Sequence, residues 1–203
     1  LDPEATGVLP ICIGKATKII DYIMDSEKVY EVTLKLGIRT TTYDLEGEVL
    51  EERDPSHLTE EEILNAINSF KGEYSQIPPM YSALKQNGVR LYELARKGIE
   101  VERKGRLVNI YNLEDIKINN PYISMKVTCS KGTYIRSLCY DIGEKLGVFA
   151  TMTQLNRAKT SVFSQEKSIN INELTKENIN DYILSMEEAL EKYDKIIVNK
   201  KYV

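Results

Sequence analysis

A chain of 203 residues with 42% apolar side chains can bury one substantial core, so one large domain is expected and a disordered chain is excluded. No run reaches the ~18 consecutive apolar residues of a membrane span. Three cysteines without ligand spacing (Cys12, Cys129, Cys139) exclude a disulfide scaffold and point to a reducing cytoplasm, and a single histidine, His57, excludes a histidine triad or a histidine-rich metal site.

Ala16, Ile19, Ile20 and Ile23 recur at helical spacing, which predicts a helix over 15–24. Tyr30, Val32, Leu34 and Leu36 then alternate with Glu31, Thr33 and Lys35. This predicts a half-buried strand with Tyr30 on its apolar face, ended by Gly37. His57 falls in a surface turn. Thr59 and Glu62 form a capping box ahead of a helix carrying Ile63, Leu64, Ile67 and Phe70, with Gly72 as its stop. Residues 75–106 hold Pro78-Pro79 and one short helix around Leu91-Tyr92 and Leu94-Ala95 that ends at Gly98; the rest is polar and basic, the profile of a functional or mobile insertion. Strands follow at 107–110 and 123–129, with Cys129 as a core residue. A turn at Lys131-Gly132 leads into a helix through Ile135, Leu138, Cys139, Ile142 and Leu146, stopped by Gly147. Residues 153–163 read as extended, and Ser185 caps a last helix. Strands and helices mix without a βαβ rhythm, so the expected class is α+β around a largely antiparallel mixed sheet flanked by helices.

The net charge of −4 argues against a nucleic-acid binder, but the charge is unevenly spread. Residues 44–62 hold nine acids and Arg53, a net −8. Residues 85–106 hold seven bases against three acids, and residues 125–160 six bases against two, each a net +4. The basic segments either converge on one face or are simply solvated surface.

Two local features carry chemistry. In Leu1-Asp2-Pro3-Glu4-Ala5-Thr6-Gly7-Val8-Leu9-Pro10, proline fixes φ after Asp2 and Gly7 permits a tight backbone path. The run is either an Asp-Pro turn or a rigid loop that holds a carboxylate in place. In Ser130-Lys131-Gly132-Thr133-Tyr134-Ile135-Arg136, Thr133 is the expected N-cap, and Arg136 lies in the first helical turn, where a cation opposes the helix dipole. Arg136 either points into water or is offset by a carboxylate held in its planar fork. Gly7 and Gly14-Lys15 do not make a phosphate loop: six residues separate the glycines, and Ala16 stands where Ser or Thr is required.

Together these features resemble the bacterial tRNA pseudouridine-55 synthases of the TruB family. Lys28-Val29-Tyr30 leading to Leu36-Gly37-Ile38-Arg39-Thr40-Thr41-Thr42-Tyr43-Asp44 is similar to the family's second motif. Pro78-Pro79-Met80-Tyr81-Ser82-Ala83-Leu84-Lys85, with Gly88, Leu91-Tyr92 and Ala95-Arg96, resembles its RNA-gripping thumb insertion. Ser130 to Arg136 resembles the third motif, and Gln154-Leu155-Asn156-Arg157 the segment that closes the pocket. The five matches run in order over about residues 1–163.

The resemblance implies a pseudouridine synthase fold, with a catalytic domain over 1–170 that includes the thumb at about 75–106, and a helical part over 171–203. It implies Asp2 as the catalytic aspartate, Tyr30 as the residue that stacks on the target base, Tyr134 as a substrate contact, Arg136 as the partner of the aspartate, and Leu155 as a residue packed against the flipped nucleotide. Lys85, Arg90, Arg96, Arg103, Lys131 and Arg157 are the expected RNA contacts, with the acidic run 44–62 facing away. The implied reaction detaches a uracil from ribose at N1 and reattaches it through C5. Attack of the aspartate at C1′, attack on the base, and removal of a ribose proton all remain open. The expected partner is the tRNA T stem-loop, with no metal, nucleotide or organic cofactor, no membrane, and a monomeric enzyme. The family also carries a Lys-Pro-x-Gly-x-Thr-Ser element and a histidine ahead of the aspartate, and a PUA-type domain after the catalytic domain. The chain is therefore expected to be a catalytic-domain fragment. An RNA-binding or RNA-folding module without turnover is the alternative.

Overall fold

The computed structural model describes residues 2–197. The chain opens with a two-residue strand, β1 (Thr6–Gly7). Residues 15–24, expected as one helix, fall in a 3-10 segment (Gly14–Ile19) and a single α-turn, α1 (Ile20–Met24), of which Ile23 alone is buried. The apolar period is present, but no element packs along its length, and Ile20 stays 40% exposed. The alternating run forms β2 (Lys28–Leu36) as expected, with Val32, Leu34 and Leu36 buried on one face. Gly37 ends it at φ 87°. A small hairpin, β3 (Ile38–Thr40) with β4 (Val49–Glu52), lies outside the main sheet.

The capping box opens α2 (Glu60–Asn68), where Thr59 and Glu62 satisfy each other's backbone N–H groups. Gly72 is not the stop of this helix. The helix ends at Asn68, and Gly72 (φ 102°) turns the chain into β5 (Gly72–Gln76). The insertion holds a short hairpin, β6 (Lys85–Gln86) and β7 (Val89–Arg90), and α3 (Leu91–Ala95). Its first limb is packed, with Gln76, Met80 and Ser82 buried, whereas Lys85, Arg90, Arg96, Lys97 and Lys104 are exposed. The strand expected at 107–110 is far longer, β8 (Arg106–Asn119), because it pairs with β5 at one end and with β9 (Tyr122–Cys129) along most of its length. Then come α4 (Ile135–Leu146), closed by left-handed Gly147, followed by β10 (Ala150–Thr160) and β11 (Phe163–Ser164). Past β11 the chain makes 3-10 turns and the one-turn α5 (Met186–Ala189), capped by Ser185. It returns to α1 at Tyr193, whose hydroxyl donates to Tyr22 O at 2.9 Å.

The seven-stranded sheet runs β1-β10-β2-β9-β8-β5, with β11 also on β10. Only β1 with β10 is parallel; the other pairings are antiparallel, giving the α+β class that the sequence predicts. Helices α2 and α4 cover the face carrying Val32, Leu34, Ile110, Ile123, Val127 and Cys129. Helix α4 lies so close to the chain entering β10 that a Cβ on Gly143 would sit 2.0 Å from Ala150 N.

Within α4, burial pushes the Asp141 carboxyl up to about 7; the Tyr74 hydroxyl partly offsets this and Glu144 adds to it. The folded state therefore holds this proton more tightly than the unfolded chain. Stability is lost as pH rises from the ordinary carboxyl range through about 7. Asp141→Asn should raise stability by about 1–2 kcal/mol at pH 8, less than the full shift because the group keeps some water. The gain should vanish near pH 4, a trend that urea denaturation across pH checks.

Candidate active site

The loop at Asp2 is held against β10. Val8 N donates to Arg157 O at 2.8 Å and Ala5 N to Asp2 O at 3.0 Å. Gly7 has φ 103°, and a Cβ there would sit 2.3 Å from Arg157 O, so only glycine permits this approach. The Asp2 side chain consequently faces the start of α4.

There it meets Arg136, the second residue of the helix, whose side chain is 7% exposed. Arg136 Nε lies 2.7 Å from Asp2 Oδ2 and Nη2 lies 2.9 Å from Oδ1, a bidentate fork. Nη2 also donates to Tyr81 O at 2.8 Å, and Nη1 to Thr42 O at 3.1 Å. The cation at a helix N-terminus is thus paired with a carboxylate and does not point into water. The expected cap is displaced by one residue: Tyr134, not Thr133, is the N-cap, and its side chain makes no capping bond.

A second carboxylate, which the sequence reading missed, completes the group. Asp44 Oδ2 lies 3.3 Å from Arg136 Nη1. Counted with the acidic run 44–62, Asp44 was expected to face away; instead its side chain is 15% exposed and turned inward. The turn between β3 and β4 explains this. Thr40 Oγ1 donates to Asp44 O, Thr42 Oγ1 donates to the Asp44 carboxylate, and Glu46 N donates to Oδ1 at 3.1 Å. A Cβ on Gly47 would sit 2.4 Å from Thr42 Oγ1. The Thr-rich run followed by Asp and Gly was the available signal.

Tyr30, on the core face of β2, pairs in register with Arg157, as Val32 does with Leu155, so Tyr30 and Leu155 share the face that looks toward α4. Burial pushes the Tyr30 phenol above its ordinary value; Arg157 pulls it back, and the Asp2 charge adds to the rise. Burial also raises the Tyr134 phenol, with Arg106 and Arg136 opposing and Asp2 adding. Both phenols therefore feel the Asp2 charge, and Tyr134, the N-cap of α4, lies two residues before Arg136 in the chain.

The expected RNA contacts divide. Lys85, Arg90 and Arg96 are exposed on the insertion, where Arg90 and Arg96 lie 5.8 and 5.3 Å from the Tyr92 ring centre. Arg103 is half-buried, donating to Pro78 O at 3.2 Å and to Glu100 at 3.2 Å. Lys131 is exposed and paired with Asp25 at 2.7 Å. Arg157 corrects the expectation: it is 7% exposed, and its Nε donates to Val8 O at 2.9 Å, so it braces the Asp2 loop from within. With Arg136 also buried, the +4 of residues 125–160 is not a surface patch. Among the described residues, no group of three or more His, Cys, Asp or Glu gathers as a metal site.

Two family models match in succession. The TruB family pseudouridylate synthase N-terminal domain covers residues 1–135, and the tRNA pseudouridylate synthase B C-terminal domain covers residues 136–191. The chain belongs to the TruB family. The seam between the TruB models falls inside α4, and β10, beyond the seam, pairs with β1 and β2, before it. The chain is 65% identical over 203 residues to tRNA pseudouridine synthase B of Clostridium perfringens (strain SM101 / Type A), covering 100% of this chain and 69% of that protein. It is 61% identical over 202 residues to tRNA pseudouridine synthase B of Clostridium tetani (strain Massachusetts / E88), covering 70% of that one. A solved Cbf5-Nop10-Gar1 complex contains a similar chain: TM-score 0.71 and 28% identity over 94% of this chain and 51% of that one. The archaeal box H/ACA sRNP Nop10-Cbf5 complex shares the fold at TM-score 0.66, with 24% identity over 94% of this chain and 50% of that one.

Removing a partner from a buried ion group costs far more than removing an exposed pair. Arg136→Ala should therefore destabilise the fold by about 3–5 kcal/mol. Lys131→Ala, which breaks only the exposed pair with Asp25, should leave stability almost unchanged. Equal losses in urea titrations would contradict the buried, shared role of Arg136.

Proposed function

We propose that this protein isomerises a uridine of tRNA to pseudouridine, at position 55 of the T loop, exchanging the C–N glycosidic bond for a C–C bond. The observation that carries the reading is the bidentate Asp2–Arg136 pair at the N-terminus of α4, in a chain of the TruB family. Curated relatives with the name tRNA pseudouridine synthase B match along the whole chain, which supports an isomerase acting on tRNA.

The physical roles follow from the geometry. A base buried in an RNA stem-loop must be extruded at a cost of a few kcal/mol, and the Tyr30 face returns part of that by stacking. Leu155 supplies the apolar wall on the neighbouring strand. Arg136 holds the Asp2 carboxylate in one orientation, so the reacting oxygen needs no reorganisation when substrate arrives. The exposed bases of the insertion contact phosphates and set the register of the stem. The T stem-loop is the substrate in this reading, and a monomer in the cytoplasm its setting.

Asp2→Asn keeps the shape and one hydrogen bond to Arg136 but removes the anionic oxygen. In the full-length protein, pseudouridine formation should fall by many orders of magnitude while tRNA affinity changes little, the mark of an interaction realised only in the reaction step. A near wild-type rate would remove Asp2 from the chemistry. RNA binding without turnover by the wild-type protein, in a single-turnover assay on a T stem-loop, would favour an RNA-folding module.

Replacing the exposed bases Lys85, Arg90 and Arg96 by Ala should weaken tRNA binding and flatten its salt dependence, because fewer counterions are released. An unchanged slope of log Kd against log salt would exclude the insertion as the phosphate grip.

A further inference from the structure

The N-terminus of α4 has an unusual cap. Tyr134 stands at the N-cap position, where Ser, Thr, Asp or Asn ordinarily satisfies the orphan N–H groups, and its own side chain satisfies none. The backbone of Tyr134 is held instead by Gln76, 58 residues earlier at the end of β5, which satisfies one of the orphan N–H groups and adds a bond to the carbonyl that accepts the first helical bond. Gln76 Oε1 accepts from Tyr134 N at 2.8 Å, and Gln76 Nε2 donates to Tyr134 O at 3.1 Å. Its other amide hydrogen serves the Tyr74 hydroxyl. Gln76 is 1% exposed, so water does not compete for these bonds. The amide orientation is fixed by chemistry: a flipped side chain would set an NH2 group against the Tyr134 N–H.

We infer that Gln76 is a positioning residue for the reaction. It clamps both backbone polar groups of Tyr134 and thereby fixes the first turn of α4, which carries the Arg136 fork that orients Asp2. The inference rests on the pseudouridine synthase reading above. Arg136 lies two residues past the clamped peptide, and its guanidinium stands at the end of a long side chain. A small tilt of the first turn moves the fork by a larger distance at Asp2. Misplacements near 1 Å at a reacting group cost about a hundredfold in rate. Other contacts reach the same turn: Ser137 Oγ donates to Ile77 O at 2.8 Å, and Arg136 Nη2 donates to Tyr81 O. Among the described residues, only Gln76 holds the backbone of the N-cap residue through two side-chain bonds. A carboxylate cannot replace the amide, because it keeps the acceptor for Tyr134 N–H but sets a second oxygen against Tyr134 O.

The test uses the full-length protein, a tRNA transcript, single-turnover rates at saturating enzyme, tRNA Kd and thermal unfolding. Gln76→Ala and Gln76→Glu should lower the rate constant roughly 10–100-fold while Kd changes less than about threefold. Thr59→Ala removes the α2 capping box, far from Asp2, and serves as a stability control. It should lower the melting temperature and leave the rate constant within about twofold of wild type at 25 °C. Rates for both Gln76 variants equal to wild type would overturn the inference. So would a loss matched by Thr59→Ala at the same melting temperature, or a loss that resides wholly in Kd. A wild-type protein that binds tRNA and forms no pseudouridine would instead overturn the functional reading and this inference with it.

Discussion

A buried guanidinium is the constraint around which the rest is arranged. Arg136 brings five N–H donors and a full charge to a place that is 7% exposed, at the end of a helix whose dipole opposes it. Such a group is stable only if charge and donors are both satisfied. No single neighbouring segment can do this, so the fold gathers partners from three distant stretches: Asp2 from the N-terminal loop, Thr42 and Asp44 from the hairpin turn, and Tyr81 from the insertion. Asp2 is 134 residues away in sequence and Thr42 is 94. Closing those loops is an entropic cost that the sheet has already met by bringing β1, β2 and β10 together.

Two carboxylates on one cation leave the group with a formal charge of −1, and the two are not equivalent. Asp44 is enclosed, with its oxygens engaged by Thr42, Glu46 N and Arg136, and its side chain is 15% exposed. Asp2 is 36% exposed and has no such enclosing turn. Asp44 is therefore placed to hold Arg136, and Arg136 to hold Asp2. Of the two carboxylates, Asp2 is the more accessible from outside. The ion group is a support with one accessible end, which fits a carboxylate that must act on something brought from outside.

The parts of this arrangement that could be read in the sequence were those governed by local periodicity or local hydrogen bonding. The alternation in β2 and β9, the Thr59 and Ser185 capping boxes and the Gly147 stop each depend on residues within one turn or one strand. Asp2 and Arg136 were each left open by their local settings, an Asp-Pro turn and a cation against a helix dipole, and it was the ordered family motifs that singled them out as a pair. What escaped depended on long-range contacts. Gly72 was read as a helix stop because glycine suits both a C-cap and a strand entry, and pairing with Ile110 decided for the latter. Asp44 and Arg157 were counted as surface charge because a tally along the chain treats every charge as solvated. Arg157 is instead bonded to a carbonyl 149 residues away. Gln76 carried no local signal at all, since its partner is a backbone peptide in another element.

The insertion illustrates how one segment can divide two tasks. Its first limb, from Gln76 through Ser82, is largely buried and bonded to the first turn of α4. Its far part is exposed and carries Lys85, Arg90, Arg96, Lys97 and Lys104 around an aromatic ring at Tyr92. Phosphate attraction acts over about a Debye length and tolerates imprecise geometry, whereas orienting a carboxylate tolerates almost none. In the proposed reading, an exposed charged tip on a packed root meets both demands with one stretch of chain. The proline pair Pro78-Pro79 lies within the packed root, buried and stiff, between Gln76 and Tyr81, which both bond to the first turn of α4. Because the root also bonds to Arg136, any force on the tip that distorts the root is felt at the ion group. The packing of that short limb therefore couples the exposed tip to the ion group rather than leaving the two independent.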